Sequence, residues 1–188
     1  MLERFCPDEI VPGLASIDQD ALLVRGIRGL LVDVDNTLVN WRGSDIPERH
    51  VAWIKQAKAN FAVCLLSNTV TGSRLLRLAA RLDLPSVGRW GLGRKPFLGG
   101  YREALAKIGV PPRQTAMIGD QLLTDILGGN RLGMHTIMVQ TLSEAEFFVT
   151  RVNRWIEAII QARLTRRGLW PSLTNSEGPG QPEVGHGH

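Results

Sequence analysis

The run Gly29-Leu30-Leu31-Val32-Asp33-Val34-Asp35-Asn36-Thr37-Leu38-Val39 decides how this chain folds. Leu30, Leu31 and Val32 are apolar without alternation, the pattern of a strand buried on both faces of a parallel sheet. Such a strand delivers Asp33 and Asp35 to its carboxyl end, where the ligand sites of open α/β sheets form. On extended backbone an Asp-x-Asp pair aims both side chains the same way, because side chains alternate with period two. Two acids held close repel unless a cation or a shared proton relieves them. The pair asks for a hard cation such as Mg²⁺, which favours oxygen ligands and keeps several waters. Taken alone, the same residues also fit a solvated strand-to-loop turn.

Downstream segments repeat the arrangement. Phe61 to Leu66 reads as a second apolar strand ending in Ser67-Asn68-Thr69, where a hydroxyl and backbone amides can grip an anion. Gly93-Arg94-Lys95-Pro96 places a lysine in a punctuated loop before a helix. Thr115 to Ile118 reads as a third strand, ending in Gly119-Asp120-Gln121-Leu122-Leu123-Thr124-Asp125. One rim of the sheet thus collects an acid pair, a hydroxyl, a lysine and a second acid pair. That set suits metal-assisted phosphoryl transfer, with carboxylates for the metal and donors for charged oxygens. Singly, Ser67 or Thr69 also reads as a helix N-cap, Lys95 as a solvated charge and Asp120 as a cap.

In this order the four motifs resemble the signature of the haloacid dehalogenase (HAD) superfamily over about residues 20 to 145: Asp33-x-Asp35-x-Thr37, Ser67, Lys95 and Gly119-Asp120-x-x-x-x-Asp125. Closer in, Asp33 to Leu38, Leu66-Ser67-Asn68 and Gly119-Asp120-Gln121-Leu122-x-Thr124-Asp125 are similar to the class III-A, YqeG-like branch, which includes phosphatases of phosphatidylglycerophosphate. The resemblance implies Asp33 as a nucleophile forming an aspartyl-phosphate, and Asp35 as the acid that protonates the leaving alcohol and the base that then activates water. It implies Mg²⁺ held by the Asp33 and Asp120 carboxylates and the Asp35 carbonyl, with Asp125 supporting it through water or a hydrogen bond. Ser67, the Asn68 amide, Thr37 and Lys95 would meet the substrate. A soluble phosphatase of nucleotides or sugar phosphates fits the same residues, and so does a binding protein on a HAD scaffold.

Composition agrees. At 188 residues with 44% hydrophobic content, the chain suits one α/β domain with an ordinary core. Cys6 and Cys64 are too few for a disulfide framework or a zinc site. No signal-peptide pattern and no run of about 18 apolar residues is present, which predicts a cytoplasmic protein, with contact at the inner face of a membrane the one peripheral option. The net charge of +4 is compatible with anionic partners but too modest to name one. Sparse aromatics argue against nucleic acid. Nothing in the sequence fixes the oligomeric state.

The pattern predicts a loop or short turns over residues 1 to 20, then a doubly wound, Rossmann-like parallel sheet of the HAD type over 21 to 170, and a disordered Pro/Gly/Ser-rich tail over 171 to 188. Helices are expected from Pro47 to about Asn60, from roughly Thr71 to Leu82, from Phe97 to Ile108, and after Gln121 until Gly128-Gly129. The intervals of 34 residues from Asp33 to Ser67 and 28 from Ser67 to Lys95 leave no room for a large cap domain. An uncapped site favours a phosphate carried on something large, such as a lipid headgroup. A C-terminal amphipathic helix over about 144 to 164 places Phe148, Val152, Trp155, Ile156 and Ile159 on one side, followed by Arg163, Arg166, Arg167 and Trp170. That stripe suits packing on the sheet, a dimer contact or an anionic membrane surface.

Overall fold

The computed structural model describes residues 2–41, 43–68, 72–89, 91–140 and 148–174. Strands β1 (Glu9–Val11), β2 (Gly29–Val32), β3 (Ala62–Ser67), β4 (Ser86–Gly88), β5 (Thr115–Gly119) and β6 (His135–Val139) form one sheet, ordered β1-β6-β5-β2-β3-β4. Every pairing is parallel. Between and after the strands run α1 (Gln19–Val24), α2 (Glu48–Ala57), α3 (Gly72–Leu82), α4 (Leu98–Ile108), α5 (Leu127–Leu132) and α6 (Phe148–Arg166). This is the doubly wound sheet that the alternating pattern predicts.

The packing accounts for the unalternating run in β2. Leu30 and Val32 join Val63, Leu65, Ile54 and Leu78 on one face, while Leu31 joins Cys64, Leu66, Met117 and Tyr101 on the other. Leu30, Leu31 and Val32 are wholly buried, and each burial contributes roughly 1.5–3 kcal/mol. From β2 the chain moves out to β3 and β4, then returns at β5 and continues to β6, so the order reverses between β2 and β5. Ligands of open α/β sheets bind at such a switch point. Val32 pairs with Ile118, and the Asp33 amide donates to the Ile118 carbonyl at 2.9 Å. The register therefore brings Asp33 and the residues after Gly119 to adjacent strand ends.

No inserted cap stands over this end among the described residues: β2 leads to β3 through a tight turn, a loop and α2, and β3 leads to Lys95 through α3, β4 and a short 3-10 turn.

Several expectations are corrected. Residues 1 to 20 hold short 3-10 turns at Leu2–Phe5 and Leu14–Ser16 but also a strand and a helix start: β1 lies on the sheet edge against β6, and α1 starts at Gln19, capped by Asp18, whose Oδ1 accepts from the Asp20 and Ala21 amides. A three-residue strand bracketed by Pro7 and Pro12 is too short for a period-two signal. The helical segment after Gln121 does not stop at Gly128-Gly129. A π-helical turn over Leu122–Ile126 runs into α5, which ends at Gly133 in the left-handed region, φ 70°. A Cβ on Gly128 would fall 2.3 Å from the Tyr101 hydroxyl, and one on Gly129 2.7 Å from Thr136 Cγ2. These glycines permit close packing rather than a break. In the expected tail, Leu173 bridges to Ile10 and the Thr174 amide donates to the Ile10 carbonyl; residues 175–188 lie outside the described residues.

α6 is rotated from the expected stripe. Its first predicted residues, 144–147, and the side chains of Phe148 and Val152 lie outside the described residues, and Ile159 is half-buried. The buried side is Ile160 and Leu164, while Trp155 is 68% exposed and Ile156 37% exposed. Glu157, one turn before Ile160 and on the same side, fits that orientation: its Oε1 accepts from the Leu123 amide at 3.2 Å. The helix is tethered by a carboxylate that a hydrophobicity pattern assigns to solvent.

Candidate active site

The carboxyl ends of β2, β3 and β5 open onto a cleft of about 620 Å³, lined among others by Asp33, Asp35, Ser67, Asn68, Lys95, Gln121 and Thr124. After β2 the backbone folds into a tight turn: the Leu38 and Val39 amides both donate to the Val34 carbonyl at 3.0 Å, and Asn36 takes φ 62°. Asparagine tolerates that conformation better than most residues. The turn sets Asp33 deep, at 5% exposure, and Asp35 nearer the surface. Thr37, expected at the substrate, is buried beneath the turn, and its hydroxyl has no partner among the described residues.

Lys95 joins the motifs. Its ammonium binds Asp33 Oδ1 and Asp125 Oδ1, the latter at 2.6 Å, and the lysine is 3% exposed. The Asn68 side chain fixes the lysine backbone from both sides: Nδ2 donates to the Lys95 carbonyl at 3.0 Å and Oδ1 accepts from the Lys95 amide at 2.6 Å. Asn68, itself on the cleft wall, thus aligns Lys95. Asp125 is carried on the π-helical turn, a feature that often marks functional sites. The buried Tyr101 hydroxyl steadies that turn by donating to the Thr124 carbonyl at 2.8 Å. Gly119 completes the packing, since a Cβ there would lie 2.3 Å from the Asp125 carboxyl.

Oxygens of Asp33, Asp120 and Asp125 all lie within 4.8 Å of one another. Three buried carboxylates therefore face the single ammonium of Lys95. Burial pushes the Asp33 carboxyl up to about 7, against the pull of Lys95 and with a further push from Asp125. Burial and the neighbouring Asp33 and Asp125 charges likewise raise Asp120 well above the usual carboxylate range. Burial disfavours the Lys95 ammonium, but the Asp125 and Asp33 carboxylates outweigh it and hold its pKa above the ordinary value. Such a cluster must take up protons or a cation.

The donor set fits a divalent hard cation. Asp120 Oδ1 is buried and accepts no hydrogen bond among the described residues. Asp125 is already engaged at both oxygens, by Lys95 and by the Gln121 amide at 3.2 Å. Asp33 and Asp120 are the carboxylates that could hold Mg²⁺ directly, beside the expected Asp35 carbonyl, while Asp125 holds the lysine and the loop.

A pH prediction follows from the raised Asp33 carboxyl. Its folded pKa of about 7 exceeds the unfolded value of about 3.9, so metal-free folded protein binds more protons across pH 4 to 7. Asp33 therefore contributes stability that is lost as pH rises through that window. Urea denaturation in EDTA is expected to show wild type losing stability relative to Asp33→Asn between pH 5 and 8, with Mg²⁺ closing the gap. A difference independent of pH and Mg²⁺ would show that Asp33 does not carry this proton.

Residues that sequence reasoning missed complete the surroundings. Arg74, in the first turn of α3, binds Asp35 Oδ1 through Nη2 at 2.5 Å. Phe5, Trp41, Leu123 and Leu127 form an apolar stretch of the cleft wall, beside the exposed Arg94. No motif marks Arg74, Phe5 or Trp41, because each comes from a different part of the chain and meets the others only in the fold, whereas Leu123 and Arg94 lie inside quoted motifs as neighbours of the charged residues.

Residues 92–146 match the family described as HAD-hydrolase-like. Over 170 residues the chain is 35% identical to the probable phosphatase YqeG of Bacillus subtilis (strain 168), covering 89% of this chain and 96% of that protein. It is also 35% identical over 176 residues to a protein of Chlamydomonas reinhardtii named phosphatidylglycerophosphate phosphatase 1, chloroplastic, covering 88% of this chain and 64% of that one. Among solved structures, an uncharacterized protein from Listeria monocytogenes serotype 4b shares the fold, with a TM-score of 0.51 at 18% identity over 64% of this chain and 85% of that chain. Identity across nearly the whole of YqeG, on this parallel sheet, settles the family: the chain belongs to the HAD superfamily, in its YqeG-like phosphatase branch.

Proposed function

We propose that the protein is a Mg²⁺-dependent phosphomonoesterase that removes the terminal phosphate of phosphatidylglycerophosphate through an aspartyl-phosphate. The observation that carries the chemistry is the trio Asp33, Asp120 and Asp125 around one buried lysine at the switch point of the sheet. Asp33 Oδ attacks phosphorus while the bond to the alkoxide breaks, and Asp35 gives the leaving oxygen its proton. Asp35 then takes a proton from water as that water attacks the aspartyl-phosphate, which releases inorganic phosphate and restores Asp33. Ser67, the Asn68 amide and Lys95 hold phosphoryl oxygens, as donors aimed where charge develops. Mg²⁺ at Asp33 and Asp120 supplies positive charge to the same oxygens.

Two features support a lipid-borne phosphate. The uncapped cleft pairs the apolar wall of Phe5, Trp41, Leu123 and Leu127 with Arg94, a match for a phosphate on an amphiphile. α6 turns Trp155 and Ile156 to solvent, and Arg163, Arg166 and Arg167 follow, all exposed. The turn carrying Trp155 is the one tethered by Glu157 to Leu123 on the cleft wall. No helix among the described residues is long and apolar enough to cross a membrane, so the contact we propose is peripheral, from the cytoplasmic face.

The test presents phosphatidylglycerophosphate in anionic vesicles beside soluble sugar phosphates and nucleotides. Wild type is expected to prefer the lipid and to sediment with the vesicles at low salt. Each Arg near an anionic surface contributes about 1 kcal/mol, so Arg163→Glu/Arg166→Glu/Arg167→Glu, which reverses three charges, is expected to lose binding by at least about 10²-fold. Its activity on vesicles should fall far more than its activity on soluble phosphates. Preference for soluble phosphates, with vesicles ignored, would replace the lipid reading by a soluble phosphatase.

A further inference from the structure

Asp35 is held from outside its own loop. Its backbone belongs to the tight turn after β2, where it bridges to Val39. Its side chain is gripped by Arg74, 39 residues further along, with Nη2 2.5 Å from Oδ1. The side chains of the pair are only 14% and 21% exposed, so water competes weakly for either partner. Arg74 stands on a firm support: Leu75, Leu78, Ala79 and Leu82 bury the inner face of α3. It is absent from the lining of the cleft, which includes Asp33, Asp35, Ser67 and Lys95. The contact its guanidinium makes is with the Asp35 carboxylate.

We infer that Arg74 is a positioning residue for the proton-transfer step, fixing the rotamer of Asp35 so that its carboxyl reaches the leaving oxygen. The inference rests on the assignment of Asp35 as acid and base. Arginine suits the task, because its planar fork is preorganised and less side-chain freedom is lost per hydrogen bond. The device also links α3, which follows the Ser67-Asn68 motif, to the turn after the nucleophile, so that two motifs share one orientation.

Leaving groups give a readout that a merely structural role would not move. Near neutral pH p-nitrophenolate departs without a proton, whereas the alkoxide of an alkyl phosphate needs one. Purified full-length wild type, Arg74→Ala, Arg74→Lys and Asp35→Asn are compared in Mg²⁺ on p-nitrophenyl phosphate and on glycerol 3-phosphate, with thermal unfolding to confirm that each is folded. In Arg74→Ala, kcat for the alkyl phosphate is expected to fall by about 10²-fold, the scale of a misplaced catalytic group, and for the aryl phosphate by about tenfold less. KM should barely change. Added guanidinium should restore part of the alkyl activity, and Arg74→Lys should lie between, with the charge but not the fork. Equal losses on both substrates, or a loss confined to KM, would overturn the inference even with the selective defect intact in Asp35→Asn. Should Asp35→Asn itself lack a selective alkyl defect, the acid-base assignment falls and the role of Arg74 falls with it. If Arg74→Ala does not fold, Arg74→Lys decides, since a selective alkyl loss supports positioning and an unselective one refutes it.

Discussion

Asp33→Asn is expected to leave a folded protein without measurable turnover. An amide cannot form the acyl-phosphate that the carboxylate forms, and nucleophile deletions in other covalent hydrolases lower kcat by a factor on the order of 10⁴–10⁶. The substitution also removes one charge from a cluster in which three carboxylates face one ammonium. Since burial already pushes the Asp33 carboxyl up to about 7, the neutral side chain relieves strain in the metal-free protein rather than adding to it. Loss of activity should therefore come with unchanged or higher stability in EDTA at pH 8, together with weaker Mg²⁺ binding by calorimetry. That combination separates a chemical defect from a folding defect. Activity above about a hundredth of wild type, in protein freed of contaminating phosphatase, contradicts covalent catalysis by Asp33, because it exceeds what a missing nucleophile allows.

What the sequence reveals about this site, and what it hides, divides along physical lines. Asp33, Asp35, Ser67, Lys95, Asp120 and Asp125 are legible because each follows an apolar strand or opens a loop before a helix, and a parallel sheet gathers such positions at one end. The cluster of Asp33, Asp120 and Asp125 and the cleft bring these motifs together in space, although they lie up to 92 residues apart in the chain. Hidden were features that depend on contact rather than on pattern. β1 has three residues and draws its stability from β6, so no local period announces it. Gly128 and Gly129 look like a helix stop because their backbone freedom is visible in sequence, whereas the Tyr101 hydroxyl and Thr136 methyl that require them are not. Glu157 lies on the inner side of α6 and binds a backbone amide there, although its charge assigns it to solvent in the sequence. Arg74 carries no local signal, because an arginine in a first helical turn resembles any solvated charge until the partner carboxylate is seen.

Lys95→Met is expected to show how the acid cluster is held together, through the largest stability change at any site residue. The methionine keeps most of the volume and removes the charge between Asp33 and Asp125. Breaking a buried ion pair by deleting one partner costs roughly 3–5 kcal/mol, because the remaining charge is left buried without compensation. The sign of the pH dependence follows from both kinds of group. The folded-state pKa of Lys95 lies above its ordinary value, so the ammonium stays charged at all pH values below about 10 and its own titration adds no pH dependence near neutrality; that dependence comes from the acids it faces. Asp33 titrates at about 7 even with the lysine in place, and the lysine holds it down; without it the carboxyl rises further. The deficit of Lys95→Met should be greatest above pH 8 and shrink as the solution is acidified through pH 7, since protonation of the acids removes the uncompensated charge. Mg²⁺ should recover part of the deficit at pH 8 by the same logic, while vanadate and phosphate binding remain weak for want of the ammonium. Urea denaturation at pH 5.5 and 8, with EDTA or Mg²⁺, measures each arm. A loss equal under all four conditions would mean that Lys95 stabilises the fold through its alkyl stem alone, and that the carboxylates are not balanced by its charge.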